Sequence, residues 1–420
     1  MKFICGKSEI EIVIPEKNLT FNLGIKDSTK LNDLKREIEN ILNHPVGTSP
    51  LSEMAKEKKN IVILADDYTR LTPANIIIPV VLDELNKAGI PDSNVTIVIA
   101  TGSHKPMSDT QIQNKFGSEV ISRIKIHQHD YLDEKNLLSF GKTKRGTNIW
   151  INKEVIEADF RIGIGTIFPH HPTGWSGGAK ILLPGVAGKE TIAQMHLLGA
   201  TEQRLGEVLT PCREEMEDFA ESTKIEFIIN AVINDTGEVV YITGGDFIKA
   251  HRKGIEFALK VCGVPFKRKA DITISNTYPV NYDLFQADKG LFSAEITTKE
   301  NGEILLISGF REGITSSHKE FIELANLSDE NIWNIVKNDP HNHDLLACAE
   351  VLYLNHIKNK FKTYIVTDDL TEDEVKYIGL HYLNPGHLQE FIYDRIKKNP
   401  ETGIGIINQS IEVLPVFMDN

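Results

Sequence analysis

From residue 60 onward, short apolar runs alternate with amphipathic stretches: "NIVILADD", "NIIIPVVLDELNKAG", "SNVTIVIATGSH" and "DTQIQNKFGSEVISRI". The short runs suit buried strands and the longer stretches carry helical periodicity, so the segment reads as a parallel β-sheet wrapped by helices. In such sheets ligands bind beyond the carboxyl ends of the strands. The residues there are polar: Asp66, Asp67, Thr69 and Arg70 after the first run, and Thr101, Ser103 and His104 after the second. A third run, "DFRIGIGTIF", leads into "FPHHPTGWSGGAK" at Phe168 to Lys180.

A chain of 420 residues exceeds one ordinary core, so two α/β domains are expected, with the active site in the cleft between them. "KIEFIINAVINDTGEVVYITGGD" reads as a β-hairpin turning at Asp235 to Gly237, and "FIKAHRKGIEFALKVCG" as a helix closed by Gly263. The first domain then spans 1–265. A Pro-containing basic stretch follows, and the second α/β unit occupies 271–400. Its elements include "DITISNT", a helix around Gln286, "GEILLIS", "KTYIVTD" and a helix around His387 to Lys398. The last run, "TGIGIINQSIEVLPVF", returns as a strand to either domain, so 401–420 is a candidate to join the first.

Composition narrows the partners. Apolar residues make up 41% and charged residues 25%, the balance of a globular protein. The net charge of −13, without a segregated Lys/Arg run, disfavours nucleic acid and anionic membranes. Cys5, Cys212, Cys262 and Cys348 are widely spaced with no CxxC, which fits a reducing cytoplasm. No signal-peptide segment or membrane-length apolar run is present, so a cytoplasmic location is expected.

Within "GWSGGAK" a phosphate loop is excluded, because Ala179 and Ile181 stand where glycine and Ser/Thr are needed. "GIGTIF" lacks the third glycine of a dinucleotide fingerprint. Two readings stay open: the backbone of Ser176, Gly177 and Gly178 approaches an anion beside Lys180, or the loop is a tight turn with an exposed lysine. His170 and His171 precede Pro172 in extended chain and so point apart. His196, among Met195, Leu197 and Leu198, is by itself more often a core histidine than a ligand. Arg70 and His104 follow strands directly, as a carboxylate clamp and a proton carrier. Gln286 and Lys289 share one helical face in "FQADKG". Donors predominate, which points to an anionic small substrate.

In order and spacing, "DDYTR", "TGSHKP", "HHPTGWSGGAKILLPG", "QMH" and "FQADKG" resemble the nickel-pincer lactate racemase family of 2-hydroxyacid racemases and epimerases. The resemblance implies an isomerase that inverts C2 by reversible hydride transfer through a 2-keto acid. It implies a nickel-pincer nucleotide (a nickel pyridinium-3-thioamide-5-thiocarboxylic acid mononucleotide) tethered to Lys180, with His196 completing the nickel coordination. His104 and His170 are then the paired acid/base residues. Arg70, Gln286 and Lys289 hold the substrate, while Asp67 and the Ser176, Gly177 and Gly178 backbone fix the nucleotide. Separate cofactor maturation proteins are the implied partners. Phe285 stands where lactate-specific members tend to carry Tyr, and His343 falls near an expected tryptophan. The substrate is therefore lactate or a larger or more polar relative.

Two competing readings differ in class. His104, His170 and His196 are the three imidazoles of a zinc hydrolase, or the protein is a non-catalytic module that binds a small anion or nucleotide.

Overall fold

The computed structural model describes residues 1–200 and 203–418. Two six-stranded sheets organise the chain. In the first the spatial order is Val239–Gly245, Phe227–Ile233, Phe160–Thr166, Ile61–Ala65, Val95–Ile99, Lys125–Gln128. All pairings are parallel except the outer hairpin of Phe227–Ile233 with Val239–Gly245. Each inner strand is apolar at nearly every position because helices cover both faces. Ile61, Ile63, Ile97 and Ile162 point into one core, whereas Val62, Leu64 and Val98 pack against Leu182, Leu183, Met195 and Phe219 on the other side. That second core seats the segments carrying Lys180 and His196.

The second sheet is wholly parallel, ordered His381–Leu383, Lys362–Val366, Thr298–Ile307, Ala270–Asn276, Ile404–Ile407, Leu19–Leu23. Here the structure corrects the expected extent of the first unit. Leu19–Leu23 pairs with Ile404–Ile407, and the N-terminal residues Phe3, Cys5, Ile10 and Ile12 pack on the second sheet with Ile274, Leu305 and Ile406. The tail does not join the first sheet. Ile404–Ile407 lies inside the second, and Leu414–Phe417 pairs with Gly263–Phe266 at the junction. A local apolar pattern sets the type of an element but not its partner, which is chosen by burial far away in sequence.

In the first sheet the chain progresses outward from Ile61–Ala65 through Val95–Ile99 to Lys125–Gln128, then resumes on the other side at Phe160–Thr166. Strand order therefore reverses beside Ile61–Ala65, which opens a crevice beyond its carboxyl end. The second sheet reverses in the same way beside Ala270–Asn276. One continuous cleft is lined by the loops from both reversal points, including Asp67, Arg70, His104 and His170 from one lobe and Tyr282, Gln286 and His318 from the other. The four cysteines are buried and free. Among the described residues no helix is long and apolar enough to cross a membrane.

Candidate active site

The loop after Phe160–Thr166 is built around a two-residue hairpin in which Pro169–His170 pairs with Gly174–Trp175. Gly174 takes φ +72°, and a Cβ there would overlap the Glu207 carbonyl, so only glycine closes this turn. Thr173 in the turn donates its one hydroxyl hydrogen to the Trp175 carbonyl at 2.9 Å and lies 3.2 Å from His170 Nδ1. Its remaining lone pair accepts the His170 Nδ1–H, which leaves Nε2 as a free base. Burial, reinforced by Lys180, Lys289 and Arg70, holds the His170 pKa well below its ordinary value, so the ring is neutral.

His104 is oriented by a different device. Its Nδ1–H donates to Asp67 Oδ2 at 2.6 Å, and its Nε2 accepts from the Gln286 amide at 3.1 Å. Gln286 Oε1 in turn accepts from Lys289 at 3.2 Å and lies 3.5 Å from Arg70. A single polar chain thus runs from Asp67 in one lobe to Lys289 in the other. The Asp67 Oδ1 atom accepts from the Thr69 backbone and hydroxyl. Burial alone would raise the Asp67 pKa, but His104, Arg70 and Thr69 outweigh it and hold the carboxyl well below the usual range. Both Asp67 oxygens, expected to help fix the nucleotide, accept hydrogen bonds from protein donors. Asp66 is likewise occupied, by Lys115 at 2.7 Å and by Thr72, and Lys115 also holds the Arg70 carbonyl at 2.7 Å.

Lys180 sits in a one-turn 3-10 helix, Gly178–Ile181, whose approach is clamped by its carbonyls. Arg213 donates to the Trp175 and Gly177 carbonyls and His251 to the Ser176 carbonyl. Of the three N–H groups expected to approach an anion, at Ser176, Gly177 and Gly178, two are engaged by the protein itself. Ser176 N–H is taken by the Phe168 carbonyl and Gly178 N–H by Asn230 Oδ1, each at 2.9 Å. Ser176 Oγ is spent on Thr166 and Phe168. Lys180 Nζ makes no hydrogen bond or ion pair among the described residues and faces the cleft. Burial, with Arg70, Lys289 and Arg213 nearby, pushes its pKa well below that of an ordinary lysine, which favours the nucleophilic form of the amine.

His196, on helix Lys189–Leu197, donates Nδ1–H to the Ile192 carbonyl at 2.9 Å, and burial pushes its pKa down to about 3. Its Nε2 is left as a lone pair toward the cleft, the form in which imidazole binds a metal. Tyr353, from helix Leu345–Lys358, fixes this helix by donating to the His196 carbonyl at 2.5 Å. His171 turns away from its neighbour and stacks on Phe292 at 3.7 Å, with Tyr353 edge-on.

On the second lobe, Asp283 caps helix Leu284–Ala287 through the Gln286 N–H and fastens Ser316. Phe285 and Gln286 thereby face the cleft. Burial lowers the Lys289 pKa despite Asp288, whose own carboxyl burial raises to about 6, and it raises that of neighbouring Glu350 well above the ordinary value. His343 does not line the cleft. It is held by Glu320 at 2.5 Å, and the cleft wall nearby is Leu346. The zinc reading is also corrected: among the described residues no group of three His, Cys, Asp or Glu side chains is placed to hold a metal ion.

Residues 5–206 match the family model described as lactate racemase N-terminal domain, and residues 266–414 match lactate racemase C-terminal domain. The lactate racemase of Lactiplantibacillus plantarum is 33% identical over 315 residues, covering 73% of this chain and 74% of that protein. The lactate racemase of Thermoanaerobacterium thermosaccharolyticum is 31% identical over 381 residues, covering 88% of each. The chain belongs to the lactate racemase family. The lactate racemase apoprotein structure from Thermoanaerobacterium thermosaccharolyticum superposes with a TM-score of 0.87 at 28% identity over 99% of both chains. A Thermotoga maritima protein shares the fold alone, with a TM-score of 0.73 at 20% identity over 94% of this chain and 100% of that one.

Membership in this family sharpens what counted as background in the sequence. Thr173, Tyr353, Asn230 and Lys115 hold site residues in place, yet each looks like an ordinary turn, core or surface residue in isolation. The signal for Thr173 was its place inside the "HHPTGW" segment; the others have none before the lobes are docked.

Proposed function

We propose that the protein inverts C2 of a 2-hydroxy acid, lactate or a larger or more polar relative, using a nickel-pincer nucleotide tethered to Lys180. The observation that carries this reading is Lys180 itself: its amine lines the cleft with no hydrogen-bond or ion-pair partner among the described residues, a placement suited to a covalent amide-type anchor. The donor set fits the group. One imidazole, His196, offers a lone pair where a metal supplied with its other ligands by an organic partner needs one more. When bound, the group supplies a reversible acceptor for the C2 hydride.

The chain's own residues do the rest. Arg70 and Lys289 hold the substrate carboxylate, with Gln286 between them. The substrate hydroxyl displaces the Gln286 amide from His104 Nε2, or presents itself to His170 Nε2. One histidine takes the hydroxyl proton as the 2-keto acid forms. The other, working from the opposite face, returns a proton after the planar keto acid has turned over. Asp67 stabilises the imidazolium formed on His104, and Thr173 keeps His170 in its basic tautomer.

The test is intact-mass and nickel analysis of protein matured in a competent host, combined with chiral analysis of product. A mass increment on the peptide containing Lys180, stoichiometric nickel and scrambled configuration are expected. Racemisation by protein with unmodified Lys180 would remove the cofactor assignment, and binding of hydroxy acid without inversion would leave a binding module.

A further inference from the structure

Arg70 stands between two cavities. Beside the cleft lies a second one, of about 100 Å³, and Tyr68, Arg70, Phe168 and Tyr282 line both. The Arg70 guanidinium sits over the Phe168 ring at 5.4 Å and donates to Thr69 Oγ1 at 3.0 Å, yet it forms no ion pair among the described residues. The one carboxylate lining the second cavity among the described residues is Glu412, set beside the apolar Ile233, Val280 and Ile411.

The backbone fixes Glu412 in that wall. Ser410 N–H donates to the Asn276 carbonyl at 2.9 Å, and Ser293 Oγ lies 2.7 Å from the Ser410 carbonyl and 2.8 Å from that of Val413. The Glu412 side chain itself makes no hydrogen bond or ion pair among the described residues. Burial raises its pKa to about 7, and Arg70 is the charge that acts against burial. Asp67, the other carboxylate that feels Arg70, is engaged by His104 and Thr69. A buried carboxylate without a partner is costly, and a nearby guanidinium offsets part of that cost. The attraction also runs the other way, because negative charge behind Arg70 opposes an anion in front of it.

Building on the proposed function, in which Arg70 holds the substrate carboxylate, we propose that Glu412 is a positioning residue that competes with that carboxylate for the guanidinium and so keeps the bound 2-hydroxy acid exchangeable. Tighter binding of the ground state alone would lower KM without raising kcat.

The experiment measures KM and kcat of the nickel-loaded protein for lactate, and Kd of lactate on the unloaded protein by calorimetry, at pH 6 and pH 8. Glu412 is mostly protonated at the first and mostly ionised at the second. The other titratable groups lining its cavity beside Arg70 are Tyr68, Tyr282 and Cys262, whose pKa values burial pushes up, so they stay neutral across this range. Glu412→Gln is expected to lower KM and Kd by about threefold or more at pH 8, with no rise in kcat, and to match the parent at pH 6. Glu412→Asp keeps the charge and should bind as the parent does, while Glu412→Leu, suited to the apolar wall, should repeat the tightening. A mere structural prop for Arg70 would give the opposite sign. Weaker binding in Glu412→Gln, or binding equal to the parent at both pH values, overturns the assignment. Loaded protein that inverts no 2-hydroxy acid sinks the racemase reading alone, and the calorimetric ratio still upholds or refutes the role of Glu412.

Discussion

Asp67 and His104 stand at the carboxyl ends of adjacent parallel strands, and their side chains meet at 2.6 Å. The register of Ile61–Ala65 with Val95–Ile99 makes this contact, since it brings both strands to an end at the same level. Removing the charge while keeping the shape should leave the fold intact and release the ring's orientation. Asp67→Asn is expected to lower kcat by about 10²-fold or more with a smaller effect on KM, as for orienting carboxylates elsewhere. Chiral chromatography of the product checks this, and wild-type turnover would show that the pair is only structural.

Single loss of either base should stop inversion in both directions. His104→Ala and His170→Ala are each expected to reduce turnover by about 10²–10⁴-fold while far-UV circular dichroism stays unchanged. A variant that still racemises at the original rate takes its histidine out of the mechanism.

Lys180 predicts a trade between stability and function. In the unloaded protein its part-buried amine has no hydrogen-bond or ion-pair partner among the described residues and lies near the cations Arg70, Lys289 and Arg213, so both burial and like charge disfavour its protonated form. Lys180→Met should therefore melt at a higher temperature than the unloaded parent and never acquire the cofactor mass. A lower melting temperature would mean that the amine has a stabilising contact.

Acid should loosen the fold through its buried neutral histidines. Burial lowers the His129 pKa from 6.5 to about 4, and the ring lies between the Ala187 carbonyl and Asn152. The unfolded chain binds more protons across that interval. The contribution is complete above pH 6.5 and is lost as pH falls toward 4, at up to about 1.4 kcal/mol per pH unit for one such group. His129→Gln should flatten the fall in melting temperature over this window, and an identical slope would refute the claim.

At the cleft mouth Lys105 and Glu312 form a 2.6 Å ion pair between the lobes, with the lysine 40% exposed. Exposed pairs contribute about 0–1 kcal/mol. Glu312→Gln is thus expected to change the melting temperature little and, by freeing the lobes, to alter KM more than stability. A loss of several degrees without a kinetic change would reverse that assignment.

The sequence was most legible where chemistry depends on strand ends. His104 and His170 line the cleft because their positions follow from short apolar runs and the turns after them, whereas Lys180 and His196, which line it too, sit on helices and are marked only by the family resemblance. Legibility failed where a side chain is claimed by something distant. The Asp67 carboxylate, Ser176 and Gly178 looked available for a ligand, but His104, Thr166 and Asn230 occupy them. His318 gave no local sign, since its partner Asp344 is 26 residues away on another helix. The place of Leu19–Leu23 was equally hidden, because its neighbour in the sheet lies near the other terminus.

That last pairing has a consequence for biosynthesis. Leu19–Leu23 leaves the ribosome long before Ile404–Ile407, the strand whose edge it completes. It must wait, unpaired, until that distant strand has been made. Fusions or truncations at either terminus should accordingly strike the same lobe, while the lobe carrying Lys180 is free to mature earlier on the nascent chain.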